Sequence, residues 1–403
     1  MSKKRILMFG TYPIINPQHG GQHRVSALVN EYIKSGLDVK YVAVFQRNFY
    51  PDFGDDDIAL DEIPNNNNLK NAYISDVNSG KRLYSDTKVK YKVIELIKQY
   101  RPDIIHIEQM FLYFGIQQLL KDIKWTGKLV YGSQNIEYEL KRAILVETEI
   151  PTNEINQIVE EIREKELQLI QNADLVITCT DNDTDYSTKH GAKDVVIAQN
   201  GIYERNVDPD NELKWRNYFS KKNVTKPVLF IGSAHPPNIS GFEKMVGYGL
   251  GFLPQNSCLI LVGGVSDLVK QNLDKQPNYI KTAFEMRVDF LGRISEKDLA
   301  TLLSIADTII LPITEGGGSN LKTAEAILAD VKIVATPHAL RSYEAYEELP
   351  NMYVAKINKD FRLAVQESVM IDKKSRTEPE QILASKVTWS NTLREATERI
   401  LAL

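Results

Sequence analysis

Short apolar runs rich in Val, Ile and Leu recur along the chain, each followed by a longer stretch with helical spacing. Continuous apolar runs suit strands covered on both faces, as in a parallel sheet. The first half offers Arg5–Phe9, Val39–Val44, Asp103–Ile107, Lys128–Tyr131, Asp174–Thr178 and Val195–Ala198. The second half offers Val228–Ile231, Leu259–Val262, Val288–Leu291, Thr308–Leu311 and Lys332–Ala335. Strands alternating with helices predict α/β architecture with right-handed crossovers. A single core rarely grows past ~250–300 residues, so a chain of 403 residues is expected to form two such units.

Helix punctuation agrees with this rhythm. Gly21–Ser35 reads as a helix ended by Gly36. Ser295-Glu-Lys-Asp298 reads as a capping box opening a helix through Ile305. Asn153–Asn172 reads as a long, partly exposed helix. Tyr50–Gly80, with Asp55-Asp56-Asp57 and Asn65-Asn66-Asn67-Asn68, breaks the pattern and reads as an irregular excursion. Adjacent side chains on an extended segment diverge, so the Asp triplet is not expected to bind a metal. The polar stretch 203–226 reads as a linker between the halves.

Composition removes several classes of function. The chain is 43% hydrophobic and 25% charged, which argues against wholesale disorder. A net charge of −4 without a strongly basic stretch makes extensive nucleic-acid binding an unexpected role. Cys179 and Cys258 each lie in an apolar run with no metal-ligand spacing, and read as buried thiols. No run approaches the ~20 apolar residues of a spanning helix. The N-terminal apolar run is too short for a signal-peptide core. The expected location is cytoplasmic, with peripheral membrane contact compatible with the composition.

The segment with most chemical content is Thr308–Leu328, where a strand runs into Gly316-Gly317-Gly318 and then a helix opening near Ser319. Glycines let backbone approach a ligand closely, and the first amides of a helix form an anion site. Lys322 lies in the first turn, where a cation opposes the helix dipole and a phosphate would relieve that conflict. Lys322 and Glu325 share a face. Lysine suits a diphosphate, and glutamate suits ribose hydroxyls.

These motifs resemble those of the GT-B glycosyltransferases of the family 4 or "group 1" type, including bacterial polysaccharide enzymes. Ser233 and Asn238 follow the strand Val228–Ile231 like the family's first C-terminal-domain loop. Leu291-Gly-Arg-Ile-Ser295 resembles its Gly-Arg-Val turn, which places Ile294 at the nucleotide base. Gln199-Asn-Gly-Ile202 resembles the close of its first domain, and Thr388-Trp389 the opening of its last helix.

The resemblance implies two Rossmann-like, doubly wound domains facing a cleft. Residues 1–202 would form the acceptor-side domain, 203–385 the nucleotide-sugar domain, and 386–403 a helix returning to the first. It implies transfer of a sugar from a nucleotide-diphosphate sugar to an acceptor that the residues leave open among a glycan, a lipid-linked intermediate, a small molecule and a modified base, with retention and without a metal or other cofactor. In that scheme the leaving phosphate takes the acceptor proton. Donor contacts would come from Gly20, Gly21, Ser233, Asn238, Ile294, Gly317, Gly318, Ser319, Asn320, Leu321, Lys322 and Glu325. His106 and Lys322 would be catalytic, His106 by touching the transferred sugar. His19, Asn135 and Glu137 would line the acceptor side.

The family's first donor glutamate would fall at Gly317, with Glu315 two residues early, and its usual phosphate cations are replaced by His235 and Asn238. Two alternatives therefore stand beside transfer. One is a sugar-nucleotide epimerase on the same architecture. The other is a degenerate nucleotide-sugar-binding partner subunit.

Overall fold

A computed structural model describes residues 3–61, 72–316 and 320–403. The chain divides into two compact units, Met1–Asn200 with Thr392–Leu403, and Gly201–Asn391. Asn65–Asn68, Gly317, Gly318 and Ser319 lie outside the described residues.

The first unit is built on seven strands: β1 (Arg5–Gly10), β2 (Asp38–Gln46), β3 (Ile58–Leu60), β4 (Ile104–Glu108), β5 (Lys128–Gly132), β6 (Leu175–Thr178) and β7 (Val195–Ile197). Their order is β3-β2-β1-β4-β5-β6-β7, and every pairing is parallel. Buried Leu7, Phe9, Val44, Ile105, Ile107 and Tyr131 supply the centre of its core. Helix Gly20–Lys34 ends where Gly36 turns the chain at φ 88°. The last helix, Arg394–Ala402, belongs to this unit, where Arg399 pairs with Asp194 at 3.1 Å.

The second unit carries β8 (Lys226–Ile231), β9 (Ser257–Val262), β10 (Val288–Gly292), β11 (Thr308–Leu311), β12 (Lys332–Ala335) and β13 (Met352–Val354). The order is β10-β9-β8-β11-β12-β13, again parallel throughout. Ser295 Oγ accepts the Asp298 N–H and donates to the Asp298 carboxylate, opening helix Glu296–Ile305. Thr152–Asn172 forms the expected long helix.

Both sheets therefore reverse strand order beside their first strand, between β1 and β4 and between β8 and β11. Loops diverge at such a point, and their strand carboxyl ends make the natural binding crevice of an open α/β sheet.

Three local expectations need correction. The stretch 203–226 contains helix Pro209–Lys221, capped by Asp208, with Trp215 and Phe219 buried in the second core. The irregular excursion carries β3 and part of helix Ser75–Ser85. The edge strand β13 carries no apolar run long enough to register in the pattern. The Asp triplet serves local structure: Asp57 accepts the Ala43 and Gly54 N–H groups, and Asp56 pairs with Lys40 at 2.9 Å. Cys179 and Cys258 are buried free thiols, and burial pushes both pKa values up to about 12.

Candidate functional site

The second unit's reversal point gathers the most reactive arrangement. The loop after β8 leads into helix Pro236–Met245, and the loop after β11 leads into helix Leu321–Leu328. Asn238 is buried, and its Nδ2 donates to Ser233 O at 2.9 Å and Ser233 Oγ at 3.2 Å. Its free carbonyl accepts the Lys322 Nζ at 3.3 Å. Lys322 thus meets a neutral amide rather than a carboxylate. Burial pulls its pKa below the usual lysine value, with Glu325 opposing that shift.

Among the described residues no side chain caps helix Leu321–Leu328, whose N-cap is Asn320. Asn320 Nδ2 is buried without a hydrogen-bond partner among the described residues. An uncapped helix start, an unpartnered amide donor and a desolvated lysine present only positive or donating groups. That set is complementary to an oxyanion such as phosphate.

The approach to the helix is held from two sides. Gly316 adopts φ 111°, a conformation open to glycine and costly for other residues. Its carbonyl accepts from Arg341 at 2.6 Å and lies 3.2 Å from His338 Nε2. Glu315 is engaged by Ser240 Oγ on helix Pro236–Met245, so its carboxylate is fixed beside that helix's first turns. Sequence reasoning missed Arg341 and His338, because neither sits at a recognisable spacing from the glycines.

Glu325 forms an ion pair with Arg205 at 2.7 Å, and Arg205 also reaches Glu296 at 3.4 Å. Glu325 and Arg205 line a cavity of about 380 Å³ with Tyr203, Leu303 and Ser304. Arg205 was invisible beforehand because it follows a strand end without periodicity. Ile294 is partly buried against the second core, and Ser233 is exposed at its loop. Leu321 is also packed on that core.

The first unit treats its candidates differently. His106 is fully buried in the middle of β4, 3.0 Å from the Glu108 carboxylate and 3.5 Å from the Tyr32 hydroxyl. The His106 ring has no exposed surface. Burial raises the Glu108 pKa, but His106, Arg24 and Gln134 outweigh it and hold the carboxyl below its ordinary value.

Glu137 is likewise buried at 2% exposure, close enough to Glu166 to feel its charge. Glu166 accepts from Tyr131 Oη at 3.1 Å and from the Glu137 N–H at 3.0 Å, binding the start of helix Glu137–Leu145. Burial and the Glu166 charge push Glu137 up to about 8, and burial pushes Glu166 up to about 7. Asn135 is half-buried beside them.

Gly20 is exposed with open space above it, whereas a Cβ on Gly21 would stand 2.5 Å from the Tyr12 hydroxyl. A larger residue at Gly21 would therefore displace the Tyr12 side chain. His19 is exposed and caps helix Gly20–Lys34 through Nδ1, which accepts the Gln22 N–H at 3.4 Å.

No family model matches the sequence. No curated protein matches it either. Solved structures do. HepE of Anabaena, in complex with UDP, matches with TM-score 0.63 at 16% identity, covering 99% of this chain and 100% of that one. The chain adopts the GT-B fold. Sucrose-phosphate synthase of Thermosynechococcus elongatus matches with TM-score 0.59 at 16% identity, covering 100% and 95%. A glycosyltransferase of Rickettsia africae matches with TM-score 0.61 at 15% identity, covering 100% and 99%. Among the described residues no helix is long and apolar enough to cross a membrane, and no group of three metal-ligating side chains converges.

Proposed function

We propose that the protein is a glycosyltransferase taking its sugar from a nucleotide-diphosphate sugar, with the donor bound by residues 201–391. The observation that carries this reading is Lys322, a desolvated cation with a neutral partner at an uncapped helix start. HepE, with the same fold, has been solved with UDP and with UDP-glucose, which supports a nucleotide sugar as the ligand class.

In this reading the diphosphate lies at the start of helix Leu321–Leu328, against Lys322 and Asn320. Glu325 accepts hydrogen bonds from ribose hydroxyls, held in place by Arg205. Ile294 and its turn meet the base. Transfer breaks the bond between the anomeric carbon and the β-phosphate oxygen and forms one from that carbon to an acceptor oxygen. The acceptor proton passes to the leaving phosphate, the anomeric configuration is retained, and the nucleoside diphosphate departs. Charge growing on the leaving oxygen is stabilised by Lys322 and the helix amides. The protein acts in the cytoplasm, and the reaction needs no metal because this cation and the helix dipole meet the diphosphate.

A thermal-shift panel of nucleoside diphosphates and their sugars tests the donor reading. At least one nucleotide should raise the melting temperature, by an amount that grows with concentration. A flat response across the panel would overturn it. Nucleotide release that depends on an acceptor separates a transferase from an epimerase or a binding subunit.

A further inference from the structure

The amino ends of β4 and β5 border a cavity of about 480 Å³, within the size range of small-molecule sites. A strand of the five residues of β4 spans roughly 16 Å. The cavity therefore lies a strand length away from the carboxyl ends, where an open α/β sheet binds its substrates. Its walls are the ends of helices Thr87–Tyr100 and Tyr113–Asp122 and the turns that lead from them into β4 and β5.

Cations gather around it. Lys98 lies in the last turn of the first helix, Arg101 directly follows that helix, and Lys124 follows the second. All three are exposed, and none has a side-chain ion pair or hydrogen bond among the described residues. Arg101 and Lys124 both stand at φ 52°, the left-handed position after a helix that glycine usually fills. Their N–H groups close the two helices, on Ile97 O at 2.9 Å and on Lys121 O at 3.1 Å. Each turn thus carries a positive charge where the backbone favours glycine.

Helix C-termini attract cations, but each end counts for only about half a negative charge. The one carboxylate lining the cavity, Asp103, accepts the Arg5 N–H at 2.8 Å. The two helix ends and Asp103 together offset about two of the three positive charges. A positive charge remains unbalanced around a concave space.

An indole forms part of the wall. Trp125 is half-buried, packed on the first core and lining the cavity. Its backbone N–H is held by Leu120 O at 3.0 Å. Gly127 makes room for the ring, since a Cβ there would stand 2.3 Å from Trp125 Cζ2. The indole N–H and the Thr126 hydroxyl have no partner among the described residues.

These features select among ligands. Three cations exclude a metal ion. A hydrocarbon or a neutral sugar would make no use of them. A carboxylate offers two oxygens in one plane. A phosphate monoester offers three terminal oxygens, set tetrahedrally, to cations that come from two separate turns, and it carries about −1.5 to −2 charge at pH 7. Its organic group then has the indole to pack on.

We infer that this cavity binds a small organic phosphate monoester. Lys98, Arg101 and Lys124 hold the phosphate, and Trp125 packs against the organic group. The site stands whether or not the second unit binds a nucleotide sugar.

Fluorescence quenching and calorimetry on the full chain test this. Trp215 and Trp389, the other two tryptophans, are 8% and 3% exposed, so acrylamide quenches Trp125 foremost. The probes are glucose 6-phosphate, ribose 5-phosphate and phenyl phosphate. Glucose and inorganic phosphate serve as their parts, and phosphatidylglycerol vesicles as a membrane surface. At least one ester should bind more tightly than inorganic phosphate and shield Trp125 from acrylamide. The shielding should vanish in Trp125→Phe. Lys98→Gln combined with Lys124→Gln should weaken the ester by roughly tenfold or more, and Arg101→Gln should weaken it as well. Lys98 and Lys124 are exposed, so the double variant keeps its fold and reports even if Arg101→Gln does not.

Failure of every ester to bind overturns the inference, as does inorganic phosphate bound as tightly as every ester. So do affinity unchanged in all the charge variants, shielding that survives in Trp125→Phe, and binding of the vesicles alone.

Discussion

Lys322→Met separates the cost of this lysine from its use. In the free protein Lys322 opposes a helix start, an unfavourable interaction of about 0.3–1 kcal/mol. Removing it recovers that energy and sheds the burial of a charge. Against this stands loss of one hydrogen bond to Asn238 at 3.3 Å, worth about 1.5–3 kcal/mol at most for a charged group and less at that length. The two nearly cancel, so the melting temperature of the free variant should stay within about 2–4 °C of wild type, the shift expected for about 1 kcal/mol.

The bound state differs. A diphosphate loses its one cation from this helix, costing about 1.5–3 kcal/mol, roughly ten- to a hundred-fold in affinity. Stabilisation by nucleotide at a concentration near a hundred times the wild-type Kd, about 2.7 kcal/mol, should fall by about half or more. Turnover should drop by at least roughly tenfold, about 1.4 kcal/mol of barrier, because leaving-group charge grows toward the transition state. Lys322→Arg should keep part of the activity. Calorimetry, thermal shift and steady-state kinetics read all three quantities. Unchanged nucleotide affinity and turnover in Lys322→Met would refute the reasoning and move the phosphate elsewhere, toward His235.

Glu325→Ala should weaken nucleotide binding by roughly tenfold or more, and Arg205→Ala should weaken it less while leaving the fold intact; calorimetry showing wild-type affinity in Glu325→Ala would end the ribose assignment. Activity should survive EDTA, since the Asp55–Asp57 carboxylates nearest to a metal motif include two already engaged by Lys40 and backbone amides; loss in EDTA with recovery in manganese would contradict this. The buried Glu137–Glu166 pair makes stability depend on pH with a defined sign. Folding raises both pKa values above 4.5, so the folded state holds a proton the unfolded chain has lost, and this contribution to stability should fall as pH rises from about 4.5 through about 8. Glu166 accepts three donors and is the better carboxylate, so Glu137→Gln should flatten the slope of melting temperature between those values.

The sequence made the central strands legible because each is covered on both faces and so reads as an unbroken apolar run. Ile58–Leu60 and Met352–Val354 escaped because a three-residue edge strand carries no such run. Helix Pro209–Lys221 escaped for a related reason. It buries Trp215 and Phe219, four residues apart, among charged neighbours, although Asp208 and Pro209 gave a readable start.

At the site, the Lys322–Glu325 spacing was readable because it follows from helix geometry. The pairing of Glu325 with Arg205, and the contacts from Arg341 and His338 to Gly316, come from elements distant in sequence. The burial of His106 and Glu137 was not legible either, because motif position does not say which way a side chain packs.

The most direct test of the central claim follows the phosphorus of the donor. A nucleotide sugar that binds in the thermal-shift panel is mixed with the protein and a panel of glycan, lipid-linked and small-molecule acceptors, and ³¹P NMR is recorded over time. The account predicts that the β-phosphorus changes from a sugar-esterified phosphate to a free terminal phosphate only when an acceptor is present, with the sugar recovered on that acceptor. A β-phosphorus that stays esterified to the sugar with every acceptor, or a nucleotide sugar returned with inverted sugar stereochemistry and no released diphosphate, would contradict it.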